Sequence, residues 1–318
     1  MSTSAADPSP SSRRGDPLLA LGALPGVPEA VDSVRKAVDR VYGHRVMRRR
    51  GNEVTSEAAL RGARASAALS GADWALEEVR RRTDFGGDEE ARTVGAALRL
   101  SAEAGQLLSI WRQSPLRVLA RLHLVAAAHP TRSSDIAGPG AASASVGAGA
   151  GAGGLAAGGD VAGVAGAGDS VGRPRRDGEA VHEPLIEAPL PDATEVAGRL
   201  EGLADLIVAG SSAPALVMAA VVHGELLALR PFTSYSGLVA RAAERIVLIG
   251  SGLDPKAICP AEVGHAEQGR AAYVAAFEGY LSGTPEGMAA WIAHCGRAVE
   301  LGVRESTAVC EALQRGAA

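Results

Sequence analysis

The chain is 318 residues long, with 32 basic and 36 acidic side chains, a net charge of −4 and a hydrophobic fraction of 47%, of which aromatic residues supply only 3% of the chain. Such a length and apolar content support a sizeable core of Leu, Val and Ala in one large domain or two small ones, and the lack of a basic excess argues against a nucleic-acid binder. Lys36 and Lys256 are the only lysines and Asn52 the only asparagine, so the abundance of Ala, Gly and Arg reflects codon pressure and carries little functional weight.

Residues 1–16 are rich in Ser, Pro and Asp and read as a disordered tail without the apolar run of a secretory signal. An N-terminal helical region follows over 17–113. Val31, Val34, Val38 and Val41 recur at helical spacing within 28–46, and a second helix is expected over 56–82, opened by Thr55 and softened at Gly71. A third spans 89–111, and a fourth 115–128 with Pro115 just inside its start.

Of the 32 residues 137–168, 24 are Ala or Gly, which offer too little apolar area to offset the entropy of ordering so many glycines. The expectation is a flexible insertion over 137–180, with loop continuing to Pro191. Helices resume after Asp192, a good N-cap, and run to about Val208. The stretch 213–229 is apolar nearly all round, which marks a central buried helix, and Pro231 ends it. A short loop leads into a helix over 237–249. Further helices are expected over 265–281 and 285–315. No alternating strand pattern or hairpin turn signal occurs, so the expected fold class is all-α. No apolar run reaches the roughly 18 residues of a membrane span, and with three scattered cysteines (Cys259, Cys295, Cys310) the reading is a cytoplasmic protein without disulfides.

The informative segment is His223-Gly224-Glu225-Leu226-Leu227-Ala228-Leu229-Arg230-Pro231-Phe232-Thr233-Ser234-Tyr235-Ser236-Gly237-Leu238-Val239-Ala240-Arg241. It resembles the signature of the Fic (Fido) family, HPFx(D/E)GN(G/K)RxxR, with a further His seven residues before it. His223, Pro231, Phe232, Gly237 and Arg241 match in register. Leu116 to His123 resembles the family's early LxxLH helix, and Asp192 to Ile207 the helix that follows it. The resemblance covers roughly 114–260, leaves 261–318 as C-terminal helices, and places the Ala/Gly insertion where the family carries its target-docking flap. It implies a Fic-like helical bundle and, for a complete motif, transfer of AMP or a related phosphate-containing group onto protein hydroxyls.

The departures bear on that chemistry. Arg230 stands where the family has its general-base His, Thr233 where it has the Mg²⁺-holding acid, Tyr235 and Ser236 where it has Gly-Asn, and Leu238 where it has the first Arg. A guanidinium is never appreciably deprotonated and cannot act as the base, and a lone hydroxyl is a poor ligand for a hard cation. Upstream, Ser66-Ala67-Ala68-Leu69-Ser70-Gly71 resembles the family's inhibitory motif (S/T)xxxE(G/N), with Ser70 in place of the Glu that would pair with Arg241.

No catalytic residue is therefore assigned. Arg230, Ser236, Gly237 and Arg241 are the candidate phosphate- or nucleotide-binding residues, and Ser66, Ser70 and Gly71 the inhibitory-motif remnant. The leading expectation is a degenerate Fic-like protein without AMP transfer that binds a nucleotide phosphate (ATP, weakly and without metal) or a protein partner. The rivals are an active nucleotidyl or phosphoryl transferase with a displaced base, and a ligand-free helical scaffold. Blander readings stand beside these. Arg230 could satisfy the last carbonyls of its helix, Arg241 could pair with Glu244 or Glu225, and His223 could be a hydrogen-bonded core residue roughly 10 Å along the axis from Arg230. Neither the triple-Arg runs at 48–50 and 80–82 nor the set His265, His294, Cys259 and Cys295 has a spacing that suggests a site, and no metal is expected.

Overall fold

The computed structural model describes residues 16–128 and 170–316. Among them the chain is all-α, apart from one lone parallel bridge between His182 and Ser234. Residues 1–15 of the expected tail and the Ala/Gly stretch 137–168 lie outside the described residues, while Asp16, the last residue of that tail, is ordered. A short helix that the sequence pattern did not suggest, α1 (Pro17–Gly22), starts at Asp16, whose side chain accepts the Leu18 N–H. Then come α2 (Val27–Tyr42), which buries Val34, Val38 and Val41, and α3 (Met47–Leu69).

The helix expected over 56–82 is different in both directions. It starts at Met47, so Thr55 lies inside it and donates to the Lys256 carbonyl rather than capping. It stops at Ser70 because Gly71 takes a left-handed φ of 93°, and a separate short helix, α4 (Leu76–Arg81), follows. Next are α5 (Glu89–Ala104), a 3₁₀ turn, α6 (Leu108–Trp111) and α7 (Pro115–Ala127).

After the gap, residues 170–192 form a strap without helix. This corrects the expectation of a poorly ordered loop, because Arg175 is buried there and bonded on several sides. Asp192 then caps α8 (Ala193–Ala209), accepting the Glu195 N–H at 2.8 Å. The α9 helix (Ala215–Leu229) is buried on every side except at Ala215, Met218 and Glu225, as expected of a helix without a polar face. It pairs with α10 (Ser236–Gly250) in a helical hairpin.

The helix expected over 265–281 is two: α11 (Ala261–Gln268) and α12 (Arg270–Ser282), broken at Gly269 with φ 86°. The chain ends in α13 (Pro285–Gln314), whose 30 residues make a rod of about 45 Å. It packs against α2, α9, α11 and α12, so the N-terminal, hairpin and C-terminal regions share one continuous core. Close approach is set by Gly264, where a Cβ would fall 2.0 Å from the Ala298 carbonyl oxygen. No helix among the described residues is long and apolar enough to cross a membrane.

Candidate functional site

The α9–α10 turn holds the segment singled out in the sequence. Arg230 ends α9 in a left-handed conformation (φ 41°, ψ 63°), and Tyr235 repeats that conformation before α10 (φ 59°, ψ 13°). A left-handed L-residue costs about 1–2 kcal/mol. Tyr235 therefore adopts the conformation that its side chain disfavours, and the turn forms without the Gly-Asn pair.

Arg230 does not face this turn's amides. Its terminal nitrogens donate to the carbonyls of Ala188 (2.7 Å) and Pro189 (2.5 Å) in the strap, while its own carbonyl accepts from Arg175 Nε at 3.1 Å. Arg175, not Arg230, thus serves the end of α9; it also donates to Pro191, and its backbone N–H donates to the Pro231 carbonyl. Burial, with Arg175 alongside, lowers the Arg230 pKa from the ordinary value, yet a guanidinium stays charged. Of the candidate phosphate-binding residues, Arg230 is thus engaged in holding the strap down.

The amides that open α10 are met from within the chain. The Glu183 carboxylate accepts the Gly237 N–H at 2.7 Å, and a Cβ on Gly237 would lie 2.9 Å from both of its oxygens. An anion is therefore seated at the helix N-terminus, where unsatisfied N–H groups and the helix dipole favour negative charge. Ser236 is turned inward, its hydroxyl accepting from the Phe232 N–H and donating to the Phe232 carbonyl, both at 3.2 Å. Phe232 stacks on His123 of α7 at 4.1 Å between ring centres, which ties the LxxLH-like helix to the turn. His123 Nδ1 accepts the Gly172 N–H at 3.0 Å, and burial drives its pKa down to about 4.

Arg241 is fully buried one turn into α10. Nε donates to the Ser66 hydroxyl (2.8 Å), and Nη2 donates to the Ser66 carbonyl (3.0 Å) and the Ser70 hydroxyl (2.7 Å). Thus Arg241, Ser66 and Ser70, singled out 170 residues apart, do meet, while Gly71 supplies the bend just beyond. Neither proposed acidic partner is used: Glu225 binds Arg199 and Tyr280, and Glu244 binds histidines. The hollow lined by Ser66, Leu238, Arg245 and Glu262 amounts to about 10 Å³, room for no more than one water.

Sequence reasoning missed a second polar cluster, because its members come from five helices. His223 (α9), Glu244 (α10), His265 (α11), Tyr273 (α12) and His294 with Cys295 (α13) converge in the dry interior beside Trp291. His223 Nδ1 lies 2.9 Å and His265 Nε2 3.1 Å from Glu244 Oε2. His223 Nε2 contacts the Tyr273 hydroxyl at 2.5 Å, and His265 Nδ1 contacts His294 Nε2 at 3.2 Å. Burial by itself would raise the Glu244 pKa, but the two imidazoles overcome it and hold the carboxyl well below its usual range. The donor atoms of His223, Glu244, His265 and Cys295 all lie within 4.8 Å of one another. His223 is consequently a buried, bonded residue with no route to the turn.

This helical bundle, with its buried central hairpin and strap, is a fold seen in solved proteins. The chain superposes on a Fic family protein from Desulfovibrio desulfuricans with a TM-score of 0.60 and 16% identity, covering 88% of this chain and 74% of that one. It superposes on Fic-1 from C. elegans with a TM-score of 0.55 and 14% identity, over 89% and 72% of the respective chains. No protein-family model and no curated protein matches the sequence. The chain has the Fic fold.

Proposed function

We propose that the chain is a Fic-fold protein that does not transfer AMP and acts by binding, with its anion-accepting turn capped by its own Glu183. The observation that carries this reading is the Glu183 carboxylate on the Gly237 N–H, with Arg230 in the base position turned into the strap. Without a base or a metal-holding acid at the turn, the remaining chemistry is anion recognition by the α10 amides beside Arg241. A phosphate, free or on a nucleotide, is the ligand class that would take the place of the carboxylate, weakly and without a metal. A displaced base finds no support, since His223 has no exposed surface, its Nε2 is held by the Tyr273 hydroxyl, and its Nδ1 faces the buried Glu244 at 2.9 Å.

Two measurements test this reading. Incubation with radiolabelled ATP and lysate is expected to give no labelling above a heat-denatured control, and labelling above it would refute the loss of transfer. In thermal-shift titrations with millimolar phosphate or ATP, Glu183→Gln should show a larger ligand-induced rise in Tm than the parent. Equal, absent shifts in both would leave a scaffold without an anion site.

A further inference from the structure

We propose that the interior cluster His223–Glu244–His265–Cys295 is a zinc-binding site that staples α9, α10, α11 and α13 together. Zinc in structural sites takes four ligands from Cys, His and carboxylate side chains in a tetrahedron, with bonds of about 2.0–2.3 Å and therefore edges of roughly 3.4 Å between donor atoms. Here two imidazole nitrogens, one carboxylate oxygen and one thiol sulfur, one from each helix, fall within 4.8 Å of one another. The His223–Glu244 and His265–Glu244 edges measure 2.9 and 3.1 Å, a few tenths of an ångström inside a tetrahedral edge, so a small outward shift of the carboxylate would seat the ion.

A second observation concerns the His223 edge, which differs from the hydrogen bond that His265 Nε2 makes to Glu244. His223 Nδ1 is completely buried and 2.9 Å from a carboxylate oxygen, yet it is not aligned for a hydrogen bond with it or with any other group. Two donor atoms aimed at a common centre have this relation; an N–H aimed at an oxygen does not. The outer ring nitrogens complete the pattern. A metal-bound imidazole needs a partner for its other N–H to fix its tautomer, and each has one: the Tyr273 hydroxyl for His223 Nε2 and His294 Nε2 for His265 Nδ1. Glu244 is 1% exposed and Cys295 fully buried, so no solvent competes for the fourth position, as befits a closed structural site. The mixed N, O, S set suits zinc better than magnesium or calcium, which prefer oxygen alone. Loading would send the Cys295 thiol proton to solvent.

The inference stands apart from the reading of the turn and is tested without any activity. The full chain, purified without chelator, should contain about one zinc ion per molecule by elemental mass spectrometry, and chelation should lower its Tm. Cobalt(II) added to chelator-stripped protein should give the strong visible bands of a tetrahedral site and a near-ultraviolet sulfur-to-cobalt band. Cys295→Ser should lose the sulfur band alone. A folded parent that neither carries zinc nor binds cobalt overturns the proposal. So does a sulfur band that survives in Cys295→Ser, since another thiol would then be the ligand.

Discussion

The middle of the α9–α10 hairpin (its inner end as seen from the turn) and the turn itself answer their polar groups in opposite ways. At the inner end, the Glu244 carboxylate is met by the imidazoles of His223 and His265, out of reach of water. At the turn end, the polar groups are met mostly by backbone: strap carbonyls take Arg230, and the Glu183 carboxylate caps a helix. The turn thus forms with left-handed residues at Arg230 and Tyr235 and its polar groups bonded within the chain, while the cluster of titratable side chains sits where no local motif points. A motif's shape and a motif's chemistry are separable, since left-handed residues at 230 and 235 suffice for the first.

The largest expected effect comes from the inner end. Removing one member of a buried charged network leaves the rest unpaired, at about 3–5 kcal/mol. Glu244→Ala should lose that much stability in urea unfolding, whereas Glu183→Gln at the half-buried turn should lose less than about 1 kcal/mol. Similar losses at the two positions would break the comparison.

A smaller effect, on the order of 3 kcal/mol at most, concerns acid and lies under the turn. His123 titrates near 6.5 when unfolded and, by burial, at about 4 in the fold. Its folded pKa is depressed, so the fold binds fewer protons than the unfolded chain between these values. The neutral form's contribution is whole above about pH 6.5 and is lost as pH falls towards 4. Protonation would also put an N–H where Nδ1 accepts from Gly172. His123→Gln, which keeps an acceptor but does not titrate, should flatten the stability profile between pH 6.5 and 4. An unchanged slope would place the acid sensitivity elsewhere.

The all-α fold, the buried α9 and the long α13 were legible because periodicity and uniform apolarity are local properties. The resemblance to the Fic signature led to the right fold, and it brought Arg241 and Ser70 into one frame. The breaks at Gly71 and Gly269 were less legible, since a glycine inside a helical pattern is tolerated as often as it terminates. The strap escaped because its order comes from partners distant in sequence: Arg175 and His182 bond to the turn carbonyls of Arg230, Pro231 and Thr233. The same holds for the interior cluster. His265, His294 and Cys295 have no ligand spacing along the chain, and only the packing of α11 on α13 at Gly264 brings them to His223 and Glu244.

The smallest effect sharpens the comparison at Arg241, which lies between the two ends. Its guanidinium is buried, and the side-chain groups that receive it are the neutral hydroxyls of Ser66 and Ser70, with Nη1 left without a hydrogen-bond partner. Ser70 is only half-buried at the end of α3, so water can partly replace its hydroxyl. Ser70→Ala should therefore cost about 1 kcal/mol, the lower end for a bond to a charged group. Ser70→Glu tests the position rather than the bond. A carboxylate there would meet a buried cation with donor capacity to spare, and charge-assisted bonds are about twice as strong as neutral ones. Stability should then rise above the parent's, so the two substitutions at one site should have opposite signs in thermal unfolding. If Ser70→Glu is as destabilising as Ser70→Ala, the Arg241–Ser70 contact is packing alone, and position 70 has no special fitness for an acid facing Arg241.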